Sequence, residues 1–252
     1  MEVDLDALTV MAGDPVYGVT YIFNDEDGAF LSATGRIEAL SDSPWQRPAQ
    51  IVPKLAGYPG GVIVAETSSV SAFDLEGAEL WEREEPAPVD GVIALDGGES
   101  RILLRNSVVA LASDGSVSWE AEIESGNTSD RFLSFALLSD GGVAAMRSVI
   151  VDPDELVSEG RIVYFDPNGE QGDVFDTTND SFVLAADAEG NLYFPVEGRS
   201  LLDRVVAKHD PELNELWRSP ILAERGGFTA VQIDADGAPF VLLGGKLLKL
   251  VP

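Results

Sequence analysis

The sequence predicts an all-β protein built from repeated antiparallel sheets, and three observations lead to that prediction. Short alternating or β-branched runs fill most of the 252 residues. Gly-containing turns interrupt these runs, and the pattern returns at intervals of about 40 residues. A helical hydrophobic period is almost nowhere visible. We therefore expect six units of four antiparallel strands each.

The first hairpin of each unit is marked by a turn rich in Asp and Gly between two mostly apolar strands. Asp-Gly and Gly-Gly dipeptides between two such strands are strong hairpin signals because the turn requires a positive φ, which Gly adopts without strain. The six turns are "NDEDGAF" at Asn24, "AGYPGGV" at Ala56, "ALDGGES" at Ala94, "LSDGGVA" at Leu138, "DAEGNLY" at Asp187 and "DADGAPF" at Asp234.

A second hairpin follows in most units, and its last strand carries a large aromatic residue. The polar turn contains Asp, whose side chain can accept backbone N–H groups, and Gly at the position that needs a left-handed backbone: Gly77, Gly115 and Gly169. We expect the aromatic side chains to pack between neighbouring sheets rather than to stack on a ligand. They are Trp45, Trp81, Trp119, Phe175 and Trp217.

Four-stranded units repeated in this way favour radial packing, which is a β-propeller. We find no linker or compositional shift, so residues 1–252 are predicted to form one propeller domain. The last unit, "FTAVQIDADGAPFVLLGGKLLKLVP", has only three strands. We expect the N-terminal segment 5–11 to supply its fourth strand and so to close a six-bladed ring without an exposed edge.

The pattern "V-x-A-[FL]-D-x-x-G-x-x-x-W", clearest over residues 70–81 and weaker over 108–119 and 205–217, resembles the repeat of the pyrroloquinoline-quinone-like propellers. That superfamily includes quinoprotein dehydrogenases and a propeller subunit of the outer-membrane β-barrel assembly machinery. The resemblance implies a propeller fold, of the broad kind that includes WD40-like and YVTN-like domains, and a place in the cell envelope. The chain has no Cys and its Trp residues lie on predicted outer strands, so we expect no cofactor.

The charge of the chain excludes some partners. Its 44 Asp and Glu residues against 16 Lys and Arg give a formal net charge of -28, which repels nucleic acid and anionic lipid. No run of 18 apolar residues is present, so membrane insertion is not expected. The acidity fits either adaptation to salt or an extracellular medium, or attraction of a cationic or metal-bearing partner.

Motifs for catalysis are not found. The chain has no Gly-x-Ser-x-Gly elbow, no dinucleotide-binding Gly motif and no complete phosphate-binding loop. The single histidine, His209, stands beside Asp210 in a predicted turn, where we expect it to be exposed. The Asp-rich turns lack the ligand spacing of a calcium loop. The sequence therefore predicts no catalytic residue and no metal ligand.

Ligands of propellers usually bind at the face where the innermost strands begin, so candidate binding residues are sought there. One unit departs from the others at this face, because "VDPDELVSEG", residues 151–160, lengthens a loop and brings Glu159 and other acidic residues to the rim. The predicted binding residues are Tyr17, Gln50, Asp90, Arg131, Asp152, Asp154, Glu155, Asp180 and Arg225.

The function that these features favour is a non-catalytic binding or scaffold propeller, periplasmic, in the cell envelope or extracellular, that contacts a protein or a glycan. This location presupposes a signal peptide removed from the chain. The alternative is a Ca²⁺-assisted hydrolase or lyase similar to the six-bladed lactonases, which require Glu, Asn and Asp around a central ion. The predicted innermost strands are mostly apolar, so binding is favoured. The sequence does not indicate an oligomeric state.

Overall fold

The computed structural model describes residues 3–4, 9–10, 20–24, 28–33, 36–40, 45–48, 53–122, 130–152, 157–177, 183–197, 204–220, 222, 228–233, 237–243 and 246–250. These residues form 25 β-strands. Within them no helix has the length and apolar character needed to cross a membrane.

A short antiparallel pair comes first in the chain: β1 (Val3–Asp4) and β2 (Thr9–Val10). Five four-stranded antiparallel sheets, which we call blades 1 to 5, follow it. Blade 1 consists of β3 (Thr20–Asn24), β4 (Gly28–Ala33), β5 (Arg36–Leu40) and β6 (Gln46–Pro48). Blade 2 consists of β7 (Lys54–Tyr58), β8 (Gly61–Ala65), β9 (Ser69–Asp74) and β10 (Glu79–Glu84). Blade 3 consists of β11 (Val89–Ala94), β12 (Ser100–Leu104), β13 (Ser107–Leu111) and β14 (Val117–Glu122).

The second half of the chain repeats this arrangement. Blade 4 consists of β15 (Arg131–Leu137), β16 (Val143–Asp152), β17 (Val157–Phe165) and β18 (Gln171–Thr177). Blade 5 consists of β19 (Ala185–Ala186), β20 (Leu192–Glu197), β21 (Arg204–His209) and β22 (Glu215–Arg218). A three-stranded sheet completes the described chain: β23 (Phe228–Ile233), β24 (Pro239–Leu243) and β25 (Lys246–Lys249).

The sheets pack side by side through their first strands. β3 contacts β7, β7 contacts β11, and the series continues through β15 and β19 to β23. Each first strand is thus innermost and each fourth strand is outermost, as in a β-propeller. The predicted all-β propeller of four-stranded antiparallel blades is confirmed.

The predicted number of six blades is wrong, because the structure has five. The segment 5–11 was expected to complete the last sheet, but its residues Thr9 and Val10 pair with Asp4 and Val3. That sheet has three strands among the described residues. The observed pairing closes a loop of only a few residues, which costs less chain entropy than joining the two ends of the chain.

The core lies between the blades and is made by their middle strands. Every residue of β8, β12 and β13 is buried, since these strands are covered on both faces by neighbouring blades. The outermost strands alternate instead between half-buried and exposed positions, as in β10 and β14. Their exposed positions carry many of the carboxylates, and charge on an edge strand opposes pairing with other chains.

Tryptophan residues join blade 1 to blade 2, blade 2 to blade 3 and blade 3 to blade 4, as the sequence predicts. The indole Nε1 of Trp81 in blade 2 donates to the carbonyl of Ser113 in blade 3 at 2.9 Å. The face of the same indole lies against Gly115, whose φ is +80°, so that a Cβ at this glycine would lie 2.7 Å from the ring. Gly115 is therefore required both by its backbone conformation and by the ring that covers it.

The same contact occurs at two other blade boundaries. The indole of Trp45 donates to Leu75 at 3.0 Å, and that of Trp119 donates to Pro167 at 2.8 Å. Gly77 and Gly169, with φ of +84° and +83°, lie against these two rings. We refer to the three arrangements together as the tryptophan contacts.

The boundary between blades 4 and 5 uses a tyrosine for the same purpose. The hydroxyl of Tyr164 donates to the carbonyl of Pro211 at 3.0 Å, which is the equivalent position in the turn of blade 5. Phe175, the aromatic residue expected at this boundary, packs edge-on against the Tyr164 ring at 5.9 Å. Burial raises the pKa of Tyr164 to about 12, with Glu212 contributing, so this hydroxyl remains a donor over the whole neutral range.

Candidate binding face

The two ends of the blades carry different kinds of chain connection. The first-to-second and third-to-fourth strand turns lie at one end, which we call the lower face. The connections between blades and the second-to-third strand connections lie at the other, which we call the upper face. Loops on a rigid scaffold are common binding sites, and the upper face collects the connections that vary most in length.

Backbone hydrogen bonds hold the upper face together across blade boundaries. Val89, at the start of blade 3, donates its N–H to the carbonyl of Thr67 in blade 2 at 3.1 Å. Phe132, near the start of blade 4, donates in the same way to Arg105 in blade 3 at 2.9 Å. The second-to-third strand connections of blades 2 and 3 are therefore each fixed by the following blade, which makes this part of the face a pre-organised surface.

Three charged residues stand where innermost strands begin. Lys54 starts β7, Asp90 is the second residue of β11 and Arg131 starts β15, and all three are exposed. The ammonium of Lys54 donates to the carbonyl of Val89 at 2.5 Å. Burial of part of this side chain lowers the pKa of Lys54, while the Asp90 carboxylate opposes that effect. The rim of blades 2 to 4 thus carries both signs of charge.

A buried ion pair lies behind Arg131. The carboxylate of Asp130, whose side chain is 6% exposed, accepts from Arg147 Nη2 at 2.8 Å. Its other oxygen accepts the backbone N–H of Ile150 at 3.2 Å. This pair was not predicted, although the arginine within the apolar run "VAAMRSVIV" is a signal that could have indicated it, because a charge in a buried strand requires a partner.

A second ion pair supports the connection between blades 2 and 3. The guanidinium of Arg83 contacts the carboxylate of Glu85, whose side chain is only 1% exposed. The backbone N–H of Glu85 donates to the carbonyl of Ser68 at 2.9 Å. Side chain and backbone together anchor this connection at the upper face.

The structure places only part of the predicted site. Asp90 and Arg131 lie on adjacent innermost strands at the upper face, as expected. The backbone of Asp152 lies in the last position of β16. The other predicted residues, Tyr17, Gln50, Asp154, Glu155, Asp180 and Arg225, lie outside the described residues.

The predicted long loop of blade 4 is largely strand. β16 and β17 continue pairing from Val143 opposite Phe165 to Asp152 opposite Val157, and Glu159 is an exposed strand residue opposite Val149. These strands have ten and nine residues, whereas the equivalent strands of the other blades have five or six. The departure of this blade is therefore an extended hairpin.

His209 is not the exposed turn residue that the sequence predicts. It ends β21 near the lower face, is 8% exposed, and stacks on Phe194 with ring centroids 4.5 Å apart. Burial lowers the pKa of His209, although the carboxylate of Glu215 opposes this. A neutral ring stacked in the blade serves packing, and it lies far along the strand from the upper face.

A buried polar cluster also occupies the lower face, in the first turn of blade 5. Asp187, whose side chain is 1% exposed, pairs with Lys208 at 2.8 Å and accepts from Asn191 at 3.0 Å and from the Tyr193 hydroxyl at 3.1 Å. Burial would raise the pKa of Asp187, but the hydrogen bonds from Lys208 and Asn191 outweigh it and lower that pKa. The donors already saturate the carboxylate, so the cluster stabilises the turn.

The described residues contain no group of three or more His, Asp or Glu side chains arranged to hold a metal ion. No protein-family model matches the chain. No curated protein matches its sequence either.

Solved structures with the same fold are numerous, and three are representative. The WD40 domain of Pan2 from Neurospora crassa is 10% identical, with a TM-score of 0.64 over 88% of this chain and 70% of that one. BBS1N, solved in complex with ARL6DN, is 12% identical, with a TM-score of 0.60 over 92% and 76%. A streptogramin B lyase is 14% identical, with a TM-score of 0.50 over 92% of both chains. At these identities the likeness concerns the fold alone, and that fold is a β-propeller.

Proposed function

We propose that this chain is a non-catalytic binding propeller whose upper face contacts a protein partner in the cell envelope or the extracellular space. The observation that carries the proposal is the extended hairpin of blade 4. It rises from a face that backbone hydrogen bonds and the buried Asp130–Arg147 pair hold rigid. A rigid support under a projecting element is what a binding surface requires, because little entropy is lost on association.

Two of the similar folds support a protein partner over a glycan. One is a WD40 domain and another was solved in complex with a second protein. The mixed charges of Lys54, Asp90 and Arg131 support it as well, because charges of both signs set the orientation of a protein partner. The recurring Asp, Gly and Trp pattern and its tryptophan contacts support, in the same proposal, a repeat of the pyrroloquinoline-quinone-like type.

Site-specific photo-crosslinking tests the face that is used. We expect a photoreactive residue at Asp90 or at the exposed Arg105, both on the upper face, to cross-link the chain to one and the same protein in cells of its own organism. The matched controls are Asp114 and Glu189, which are exposed acidic residues on the lower face. Cross-links to that protein from the lower-face positions, or none from the upper face, would contradict the proposal, and fractionation of the same cells tests the location.

A metal-assisted lyase or hydrolase is the competing function, and one similar fold belongs to a lyase. The cationic side chains of Lys54 and Arg131 at the start of innermost strands do not favour a divalent ion at that rim. We expect the melting temperature to stay unchanged during a calcium titration at constant ionic strength, with magnesium as the control for nonspecific effects of charge. A saturable rise specific to calcium would instead support the enzyme, since a ligand of the folded state raises apparent stability.

A further inference from the structure

The third-to-fourth strand turn of blade 4 contains a chemically reactive dipeptide. Asn168 is followed by Gly169, and this is the only Asn-Gly pair among the seven asparagines of the chain. An asparagine before glycine can lose its side-chain amide without an enzyme, because no side chain shields the backbone nitrogen that follows it. In the equivalent turns of blades 2 and 3, the residue before the glycine is Glu76 or Asp114.

The loss of this amide, called deamidation, takes two steps and consumes only water. The nitrogen of Gly169 gives up its proton and attacks Cγ of Asn168, so that a Cγ–N bond forms, the Cγ–Nδ2 bond breaks and ammonia leaves with the proton. Water then opens the cyclic imide at one of its two carbonyl carbons. Opening at Cγ gives aspartate in a normal chain, whereas opening at the main-chain carbonyl gives isoaspartate, whose chain runs through Cβ and Cγ.

The folded turn holds the attacking nitrogen in a hydrogen bond. The N–H of Gly169 donates to the carbonyl of Asp166 at 3.0 Å, so removal of its proton also breaks this bond. The carboxylate of Asp166 accepts the N–H of Glu170 at 2.8 Å. This bond, together with those from Asn168, lowers the pKa of Asp166. The carboxylate is therefore charged at neutral pH and disfavours a second negative charge on the neighbouring nitrogen.

The side chain that is attacked is restrained as well. Nδ2 of Asn168 donates to Oδ2 of Asp166 at 3.3 Å, and the backbone N–H of Asn168 donates to Oδ1 at 2.9 Å. The amide is thus tied to the residue two positions before it, whereas the reaction requires Cγ to approach the nitrogen of the residue after it. Asn168 is exposed, so hydrogen bonding rather than burial limits the reaction in the folded protein.

Trp119 of blade 3 keeps this turn closed. Its Nε1 donates to the carbonyl of Pro167 at 2.8 Å, and its ring covers Gly169, where a Cβ would lie 2.6 Å from the indole. The peptide units before and after Asn168 are therefore both fixed by blade 3. The turn can reach the geometry of attack only when this contact opens, and the rate of reaction then follows the population of the open form.

We propose that Asn168 is a deamidation site controlled by the tryptophan contact between blades 3 and 4, and that its isoaspartate product prevents this contact from forming again. Isoaspartate adds one carbon to the main chain immediately before Gly169, where the Trp119 ring leaves no room for a methyl group. Normal aspartate fits, because Asp114 precedes Gly115 in the equivalent turn of blade 3. Opening of this boundary therefore leaves a permanent covalent change, at the lower face and independent of the proposed function.

The rate of deamidation in the folded protein tests the protection. The whole chain and a peptide of residues 163–173 are incubated in the same mildly alkaline buffer, and mass spectrometry follows the mass gain at Asn168. We expect the folded protein to react at least about tenfold more slowly than the peptide, which corresponds to about 1.4 kcal/mol in the opening equilibrium. Equal rates would overturn the inference, because the folded turn would then give no protection.

A pair of matched variants tests control by the tryptophan contact. Trp119→Phe removes the indole N–H but keeps a ring over the turn, and we expect it to accelerate deamidation of Asn168 several-fold. Trp81→Phe makes the same change at the boundary between blades 2 and 3 and is expected to have little effect on this rate. Both variants are first checked for cooperative unfolding in urea. Equal acceleration would show that global unfolding exposes Asn168, and would overturn control by the local contact.

The stability of the two products tests the second part of the proposal. Asn168→Asp supplies the new carboxylate in a normal chain, and we expect its urea midpoint to stay close to that of the parent protein. The isoaspartate form, purified after incubation of the unfolded chain and identified by electron-transfer fragmentation, is expected to unfold at a clearly lower urea concentration after refolding. An isoaspartate form as stable as Asn168→Asp would overturn the claim that this product prevents the contact from forming again.

Discussion

Replacing Gly115 with alanine is expected to lower the free energy of unfolding by about 3 kcal/mol. The residue has a φ of +80°, and a left-handed backbone costs a residue with a Cβ about 1 to 2 kcal/mol. The new methyl would also lie 2.7 Å from Cδ2 of Trp81, and crowding of a packed ring adds about 1 to 3 kcal/mol. Because the ring is held by its hydrogen bond to Ser113, it cannot move without breaking that bond.

Gly141→Ala is the matched control for this prediction. Gly141 has a φ of +88°, but nothing lies within 4 Å of the Cβ that alanine would add. We expect this variant to lose only about 1 kcal/mol, which is the backbone term. The difference between the two variants in urea unfolding therefore measures the tryptophan contact. Equal losses would show that the indole contributes nothing to the requirement for glycine at Gly115.

Replacing Lys208 with methionine is expected to destabilise the protein by about 3 kcal/mol at neutral pH. The carboxylate of Asp187 is buried and would lose its only described cationic partner, and removal of one member of a buried ion pair costs about 3 to 5 kcal/mol. The value is placed at the low end because Asn191 and Tyr193 still donate to Asp187. Arg218→Met is the matched control, since its pair with Glu215 is largely exposed and such pairs contribute about 0 to 1 kcal/mol.

The pH dependence of the same pair has a definite sign. The folded protein holds the pKa of Asp187 below its usual value, so the unfolded chain binds this proton more readily than the folded one. The resulting stability is complete above the unfolded pKa, about 3.9, and is lost as the pH falls through the folded pKa. We expect Lys208→Met to raise the pH at which acid unfolding begins, whereas an unchanged acid transition would show that Lys208 does not hold that pKa low.

The repeated local signals of the sequence predicted most of the architecture. Asp, Gly and Trp recur at fixed spacings, and each determines a turn or a packing contact with residues of its own or the next unit, as in Gly115 and Trp81.

The incorrect predictions concern contacts between residues that are distant in the sequence or in competing pairings, which the local sequence pattern does not indicate. Thr9 and Val10 pair with Asp4 and Val3, and this pairing competes with the predicted pairing of the same segment in the last sheet. The sequence pattern does not show which of the two pairings has the lower free energy. His209 is buried because it is the last residue of β21, not a turn residue, and because its ring stacks on the ring of Phe194. The Asp130–Arg147 pair depends on the register that sets Arg131 opposite Ser148. Only a three-dimensional arrangement fixes such contacts.

The tryptophan contacts all point the same way along the chain, and this gives the molecule a direction. In blades 1 to 3 a tryptophan in the outermost strand or next to it contacts a turn of the blade that follows: Trp45 does so for blade 2, Trp81 for blade 3 and Trp119 for blade 4. Each tryptophan contact stabilises both blades that share it, so a blade that opens removes an interaction from its predecessor as well as from its successor. Cooperativity between neighbours is then carried boundary by boundary, as in other repeat proteins, and local opening of one blade lowers the stability of the blade before it and of the blade after it.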